Sequence, residues 1–394
     1  MLFNSYEFIF IFLPIVFCVY FMLNKFKLVQ ISKTWMVLAS LFFYSYWDIK
    51  YLPILVCSML FNYTIGTTLN NPENTNLKIN KKVILVFGVV CNLLLLGYFK
   101  YYDFFISNIN QVFNTNINLL NIILPLGISF FTFTQIAYLV DAFKQEVREA
   151  DFLNYAMFVT YFPHLIAGPI LHHSEMMPQF AKLKNKVLNY KNIAAGIFLF
   201  TIGITKKVLI ADALSPLVHQ GFDLSTSLSM VEAWIVSLSY TYQLYFDFSG
   251  YTDMALGLSL MFNIALPQNF NSPYKAVNIQ DFWRRWHITL SRFLKNYVYI
   301  PLGGSRAGEF NTYKYLFLTF LLGGIWHGAS WTFVLWGTLH GIALVVHRLW
   351  QKLNIQIHKY LAMFITFIFV NFAWVFFRAC LLYTSRLSLI HISQ

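Results

Sequence analysis

Long apolar runs alternate with short polar segments from one end of the chain to the other. An early run extends from Tyr6 to Leu23, and the longest lies between Tyr315 and Val346. Further predicted spans are Val83 to Phe99, Leu119 to Val140 and Val231 to Phe248, and Met254 to Leu266 could be another crossing or an in-plane helix. A run of about 20 apolar residues forms a helix that crosses a bilayer core of about 30 Å. The pattern predicts an all-α protein, a polytopic membrane helical bundle of about nine to eleven spans.

Basic residues between the runs orient the predicted bundle. Lys25, Lys27 and Lys33 follow the first run, and such clusters mark cytoplasmic loops. The segment from Leu153 to Leu171 is apolar but broken by proline and glycine, and both of its flanks are basic. Non-helical backbone is tolerated at membrane depth where protein or water satisfies it, so this segment is predicted to be re-entrant.

A second departure from simple spans is the amphipathic stretch Asn278 to Ile300. Aromatic and leucine residues recur there at helical spacing opposite a face rich in arginine and lysine. A helix with these two faces lies in the plane of the membrane interface, with its cations toward anionic headgroups. We therefore expect an in-plane interfacial helix that contains His287.

Composition confirms the class and excludes others. Of 394 residues, 58% are hydrophobic and only 11% are charged, which excludes a soluble globular chain. The net charge of +12 comes from short clusters between apolar runs, which indicates contact with membrane lipids and not with nucleic acid. The four cysteines are scattered singly, so neither a disulfide framework nor a zinc site is indicated.

The chain reads as one membrane domain over residues 1–378, because no fixed repeat and no long linker divides it. The last segment, Ala379 to Gln394, contains no clear apolar span. It is expected to be an atypical tail outside the fold, after a C-terminal truncation. The compact group His172, His173 and Glu175 could suggest metal, but beside Pro178 it is expected to be a solvated loop, and no metal is predicted.

Candidate chemistry centres on the stretch GGIWHGASW. Between Tyr315 and Val346 the residues that titrate near neutral pH are His327 and His340. A helix that entered the bilayer at Tyr315 would carry His327 roughly 18 Å inward, near the midplane. Residues kept at that depth usually serve a substrate or proton path. The glycines around His327 predict a helix break or close packing. The alternative is a structural histidine that hydrogen-bonds between helices.

His287 is the second candidate. A histidine at the headgroup boundary of a surface helix has an ordinary structural explanation, but the pair His287 and His327, each beside tryptophan, suits proton transfer along a buried tunnel. Trp326 would form an apolar wall beside His327.

Three further side chains are candidates to support the two histidines. Asp247 and Asp253 lie in an apolar setting where carboxylates are costly, so they could orient an imidazole or stabilise its cation. They could equally cap a broken helix. His340, in the turn after the core motif, is a candidate for the lining of the exit.

Six long motifs occur in order along the chain. They are SFFTFTQIAYLVDAF from Ser129, YFPHLIAGPIL from Tyr161, YQLYFDFSGYTDMALGLSLMFN from Tyr242, NFNSPY from Asn269, DFWRRWHITLSRFLKNYVYIPLGGSR from Asp281 and GGIWHGASWTFVLWGTLHG from Gly323. In these motifs the chain resembles the membrane-bound O-acyltransferase (MBOAT) family. The similarity is greatest to the bacterial branch that includes the alginate O-acetylation membrane protein.

The resemblance implies a function and two site residues. In that family the histidine of the WHG motif, here His327, is catalytic, and the histidine of FWxRWH, here His287, is the second functional one. An acyl group, expected to be acetyl, would pass from a cytoplasmic donor toward hydroxyls of an extracytoplasmic polysaccharide, with an extracytoplasmic acetyltransferase as partner. The donor would be acetyl-CoA or an acyl-carrier thioester used as co-substrate, with no bound cofactor. The expected location is the bacterial cytoplasmic (inner) membrane.

Two alternatives remain. Within the same fold, the chain could transfer D-alanine or another acyl group to teichoic acid, peptidoglycan or a lipid. In a different class, a transporter or flippase would also use intramembrane histidines and a re-entrant segment. Histidines framed by tryptophan, without inverted repeats, favour the enzyme.

Overall fold

The computed structural model describes residues 1–70, 80–147 and 151–384, and regular structure within these residues is helical. The α-helices are α1 Leu13–Lys25, α2 Val29–Ser45, α3 Leu52–Asn70, α4 Lys81–Phe113, α5 Ile128–Phe143, α6 Phe152–Thr160, α7 Phe162–Leu165, α8 His173–Ala181, α9 Tyr190–Ile204, α10 Asp212–His219, α11 Met230–Met261, α12 Ile279–Arg285, α13 Ile288–Leu294, α14 Glu309–His327, α15 Trp331–Lys352 and α16 Lys359–Thr384. The all-α prediction is confirmed.

Six helical segments in the described ranges are long and apolar enough to cross a membrane. They are Phe8–Lys25, Ile49–Asn70, Lys81–Phe113, Tyr190–Leu224, Trp331–Lys352 and Lys359–Ala379. A helix satisfies its own backbone hydrogen bonds, which is why apolar helices are stable in hydrocarbon. The chain is therefore a multi-pass membrane protein, as the apolar runs predict.

The chain forms two compact units. The first comprises Met1–Phe99, Leu124–Ile204 and Tyr251–Pro267, and the second comprises Lys100–Ile123, Thr205–Gly250 and Gln268–Gln394. His287, His327 and His340 all belong to the second unit. The single domain expected over residues 1–378 stays a prediction.

Buried amides join three helices of the first unit. Asn62 on α3 and Asn92 on α4 exchange hydrogen bonds, at 3.1 and 2.7 Å. Asn62 also donates to Gln135 on α5, which accepts from Ser58 at 3.2 Å. In a membrane the hydrophobic effect does not draw helices together, so interhelical hydrogen bonds of this kind contribute to packing.

The segment predicted to be re-entrant is broken in the structure. Helix α6 ends at Thr160 and the four-residue α7 follows, so neither is long enough to cross a bilayer. His164 within α7 is buried, and its Nε2 lies 2.9 Å from the carbonyl oxygen of Phe158. The backbone of α7 is thus surrounded by protein. Irregular backbone is tolerated at membrane depth under this condition.

Three predicted boundaries differ from the structure. The expected run from Leu119 to Val140 becomes helical only at Ile128, because the backbone N–H groups of Leu120 and Ile122 donate instead to Asp103, at 2.8 and 3.2 Å. Two separate segments expected between Val231 and Leu266 form the single helix α11. The predicted tail begins as helix, since α16 continues to Thr384, and residues 385–394 lie outside the described ranges.

The in-plane amphipathic helix is two short helices, and its apolar side faces protein. Helices α12 and α13 are separated at Trp286 and His287. The side chains that share the predicted apolar face are all buried: Phe282, Trp283, Trp286, Leu290, Phe293 and Leu294. His287 is only 2% exposed, so protein covers it, and its position at the headgroup boundary stays a prediction. Periodicity identifies an apolar face but not whether lipid or protein covers it.

Candidate active site

The GGIWHGASW stretch is a sharp break between two helices. Helix α14 ends at His327, and Gly328 continues in an extended conformation. Ser330 then begins α15, with its side-chain oxygen accepting from the backbone N–H of Thr332 at 3.4 Å. The predicted break is confirmed, and it places the partly exposed His327 at the end of a helix.

Helices α14 and α15 approach closely just before this break. A Cβ on Gly324 would lie 2.4 Å from the carbonyl oxygen of Phe333 and 2.8 Å from Cα of Gly337. A Cβ on Gly337 would lie 2.6 Å from the carbonyl oxygen of Phe320. Small residues allow helix backbones to touch in this way within membranes. The close packing predicted around His327 is confirmed.

Aromatic rings surround the imidazole of His327. Its ring centroid lies 4.9 Å from that of Trp326, 5.0 Å from that of Trp336 and 5.1 Å from that of Phe377. The residue is nevertheless partly exposed, whereas Trp326 and Trp336 are buried. His327 and Phe377 are thus the partly exposed members of this cluster, and the role of Trp326 as an apolar wall stays a prediction.

Two residues at the end of an apolar run hold the last turn of α14. Lys100 donates from Nζ to the carbonyl oxygen of Trp326, and the hydroxyl of Tyr101 donates to that of Ile325 at 2.6 Å. The final carbonyls of a helix lack partners within it, and a cation there is favourable. Lys100 is also close enough to His327 for their charges to interact. Lys100 was not among the predicted site residues, and the signal that could have identified it is its position directly after the apolar run Val83 to Phe99.

The backbone at His287 is strained, and the ring is oriented by Asn269. His287 has φ +41° and ψ +55°, a left-handed conformation that costs free energy for any residue except glycine. Asn269 Oδ1 accepts from the backbone N–H and the hydroxyl of Thr289, at 3.2 and 2.9 Å. The same oxygen lies 3.1 Å from His287 Nδ1. Because that oxygen is an acceptor, His287 Nδ1 carries the proton and Nε2 offers its lone pair.

Burial keeps His287 neutral. Loss of contact with water disfavours the imidazolium and lowers the pKa of His287 to about 3. The ring therefore remains an uncharged proton acceptor at physiological pH. It is also near enough to His327 for charge on one ring to act on the other. The structure thus places both predicted histidines in the second compact unit.

His340 lies in the same aromatic cluster, beneath the surface. It is 0% exposed, and its ring centroid lies 4.6 Å from that of Trp336. The indole N–H of Trp283 donates to His340 Nδ1 at 3.2 Å. The predicted role of His340 as exit lining is not tested by these contacts, but they place it beside the ring that contacts His327.

The two candidate aspartates, Asp247 and Asp253, belong to different compact units. Asp247 Oδ1 lies 2.8 Å from Nζ of the buried Lys207, whose other carboxylate partner is Asp212 at 2.8 Å. Its observed partner is therefore a lysine and not an imidazole. The charge of the buried Lys207 is neutralised by these two carboxylates. Asp253 belongs to the first compact unit, and its supporting role stays a prediction.

The group of His172, His173 and Glu175 lies in the first unit and is not the solvated loop that was expected. His173 begins α8 and packs against Tyr138 and Phe158, with ring centroids 5.6 and 5.4 Å away. His172 Nδ1 lies 4.0 Å from a carboxylate oxygen of Asp141. Among the residues that the structure describes, no group of three or more histidine, cysteine, aspartate or glutamate side chains could hold a metal ion.

The orientation of His287 by Asn269 leads to a testable expectation. Asn269→Ala removes the oxygen that accepts from the His287 N–H and from Thr289, and loss of an acceptor for a buried donor costs about 1–3 kcal/mol. We expect the activity that depends on His287 to fall at least about tenfold, since 1.4 kcal/mol corresponds to a factor of ten. Asn269→Asp keeps an acceptor oxygen and is expected to retain more activity. Equal activity of Asn269→Ala and the unaltered protein would contradict this role.

Comparisons with known proteins identify the family of the chain. The model of the membrane-bound O-acyltransferase family matches residues 41–385. The chain is 54% identical to the peptidoglycan O-acetyltransferase of Helicobacter pylori, over 96% of this chain and 77% of that protein. It is 40% identical to the probable alginate O-acetylase AlgI of Pseudomonas aeruginosa, over 96% and 72% respectively.

A more distant relative belongs to the same group. The chain is 29% identical to the teichoic acid D-alanyltransferase of Bacillus subtilis, over 65% of this chain and 69% of that protein. The family match spans most of the chain and includes both tryptophan-framed histidines. The chain belongs to the membrane-bound O-acyltransferase family, and it is a multi-pass membrane enzyme that transfers acyl groups to oxygen.

Proposed function

We propose that this enzyme moves an acetyl group from a cytoplasmic activated donor toward hydroxyls of an extracytoplasmic polysaccharide, with His327 as the general base. The observation that carries the proposal is the placement of His287 and His327 in one compact unit, near enough for their charges to interact. A pair of neutral imidazoles in an aromatic setting suits removal and return of a single proton.

The chemistry follows from the weakness of a hydroxyl as a nucleophile at neutral pH. His327, partly exposed at the end of α14, is placed to take the hydroxyl proton as the oxygen attacks the acyl carbon. His287 offers the lone pair of Nε2 and remains neutral, so it suits a proton relay. Direct transfer needs no covalent acyl-enzyme.

Relatives support the choice of acceptor. The 54% identical relative is a peptidoglycan O-acetyltransferase, whereas the 40% identical relative is a probable alginate O-acetylase. Both names specify O-acetylation, and the higher identity makes peptidoglycan the first acceptor to test. The alginate-like assignment favoured by the motifs becomes the second.

The two sides of the membrane are proposed to hold the donor and the acceptor respectively. Exposed lysines at 182, 184 and 191 are consistent with a cytoplasmic loop. The donor, acetyl-CoA or an acyl-carrier thioester, is proposed to act on that side of the cytoplasmic membrane. An extracytoplasmic acetyltransferase partner is proposed to complete transfer, and residues 1–378 are proposed to act as one membrane domain.

Ester analysis of cell-wall polymers tests this function. Deletion of the gene should remove acetate that mild base releases from purified peptidoglycan, and the unaltered protein should restore it. Loss of ester-linked D-alanine with unchanged acetate would favour the D-alanyl transfer alternative. Loss of the polymer itself from the cell surface, with normal ester content on what remains, would favour a transporter or flippase.

A further inference from the structure

Two buried N–H groups beside His327 have no hydrogen-bond partner among the residues that the structure describes. They are Nε1 of Trp336 and Nε2 of His340. Trp336 is 1% exposed and His340 is 0% exposed, so bulk water does not satisfy these groups. Native proteins pair the great majority of their buried polar atoms, and the exceptions often have a catalytic role.

The protonation of His340 follows from its neighbour. An indole nitrogen can only donate, so Trp283 Nε1 donates to His340 Nδ1 over 3.2 Å. His340 Nδ1 therefore carries a lone pair. A neutral imidazole has one proton, which must then be on Nε2. The atom without a partner is thus a hydrogen-bond donor, like the indole N–H of Trp336.

Both donors belong to the cluster around the proposed base. The ring of Trp336 lies 4.6 Å from that of His340 and 5.0 Å from that of His327. We propose that Trp336 Nε1–H and His340 Nε2–H hold the acyl carbonyl oxygen and stabilise the negative charge that it acquires during transfer. This assignment rests on the proposed function, because it requires a reacting acyl group beside His327.

The step balances with a thioester donor. As the acceptor hydroxyl attacks, its oxygen bonds to the acyl carbon, its proton passes to the imidazole of His327, and the carbonyl π electrons move onto the carbonyl oxygen. The two N–H groups donate to that oxyanion. When the C=O bond re-forms, the carbon–sulfur bond breaks and the thiolate takes the proton from the imidazolium. The products are an ester and a thiol.

Burial makes these donors effective. Fixed N–H groups in a site without water stabilise developing negative charge far more than the same groups in water, because they need no reorganisation. Removal of one such donor typically lowers the rate about 10²- to 10³-fold. The competing explanation is structural: each N–H could rest against a neighbouring aromatic face, which is a weak interaction.

Substitutions at His340 separate the two explanations. The assay is a pulse of labelled acetate, followed by measurement of base-labile label in cell-wall peptidoglycan, in a gene-deletion strain that expresses each variant. His340→Leu removes the donor and should lower the initial rate about 10²- to 10³-fold. His340→Gln provides an acceptor for Trp283 and a donor in place of Nε2–H, and it should retain at least about a tenth of the rate.

A second variant addresses Trp336 without changing its shape. Incorporation of 3-benzothienylalanine at position 336 replaces the indole N–H by sulfur, and the same replacement at the half-exposed Trp234 is the control. We expect a loss of about tenfold or more at position 336 and none at position 234. Melting temperatures of the purified variants should match that of the unaltered protein.

The outcomes are distinguishable. If folded His340→Leu keeps more than a third of the rate, or if His340→Gln falls as far as His340→Leu, the donor assignment is overturned. Loss explained by lower melting temperature alone also overturns it in favour of the structural explanation. If the unaltered protein incorporates no label, or His327→Ala incorporates it normally, the proposed function fails instead.

Discussion

His327→Ala is expected to lower acyl transfer by about 10²- to 10⁴-fold, the range typical for loss of a general base. His327 is the partly exposed imidazole of the aromatic cluster, at the end of α14. Without it the acceptor hydroxyl keeps its proton while it attacks. The protein should still fold, because the rings around His327 also contact one another: Phe377 packs against both Phe333 and Trp336.

The measurement is the initial rate of ester formation by membranes that contain equal amounts of each variant. His358→Ala is the matched control, because His358 is an exposed histidine at the start of α16, and its removal should leave the rate unchanged. His287→Ala should keep a measurable residual rate, since relay through His287 assists the base. Trp326→Phe should lower the rate of ester formation less than either histidine substitution does. A near-normal rate for folded His327→Ala would refute the mechanism and favour the transporter.

Gly324→Leu is expected to prevent stable folding of the second unit. A Cβ at this position would lie 2.4 and 2.8 Å from backbone atoms of α15, and backbone cannot move aside as a side-chain tip can. Overpacking typically costs about 1–3 kcal/mol, and here the whole helix pair must separate. That cost is large compared with a total stability of about 5–15 kcal/mol.

Gly97→Leu is the matched control for this substitution. Gly97 lies on α4, and a Cβ there would meet nothing within 4 Å. Leucine is also a better helix former than glycine, so Gly97→Leu should leave the yield and melting temperature of detergent-solubilised protein unchanged or slightly raised. Normal yield and melting temperature of Gly324→Leu would show that α14 and α15 do not pack as closely as the structure indicates.

Much of the fold is predictable because a membrane helix is a local structure. Each span satisfies its own backbone hydrogen bonds, and its apolar length is set by bilayer thickness. The run from Tyr6 to Leu23 and the broken segment from Leu153 to Leu171 are therefore apparent in the sequence. The boundary expected at Leu119 is wrong because Asp103 draws the following backbone into another conformation, and that contact is not local.

In the amphipathic stretch Asn278 to Ile300, the spacing of apolar residues predicts a helix face but not what covers that face. Helical spacing of Phe282, Trp286 and Leu290 correctly indicates one apolar face, but lipid and protein interior are both apolar environments. Only the structure shows that these side chains are buried and that the backbone turns at His287. The left-handed conformation at His287 is itself a tertiary effect, because residues other than glycine adopt it only where the surrounding structure imposes it.

The sequence by itself determines that this is a polytopic helical acyltransferase and predicts His327 and His287 as its site residues, because their motifs are continuous stretches of chain. Tertiary structure alone decides how those histidines are held and protonated. Lys100 contacts the carbonyl oxygen of Trp326 across 226 positions of sequence, and Asn269 reaches His287 across 18. Imidazole tautomers depend on which donor or acceptor faces each nitrogen, and that is a property of packing, which no local pattern of residues records.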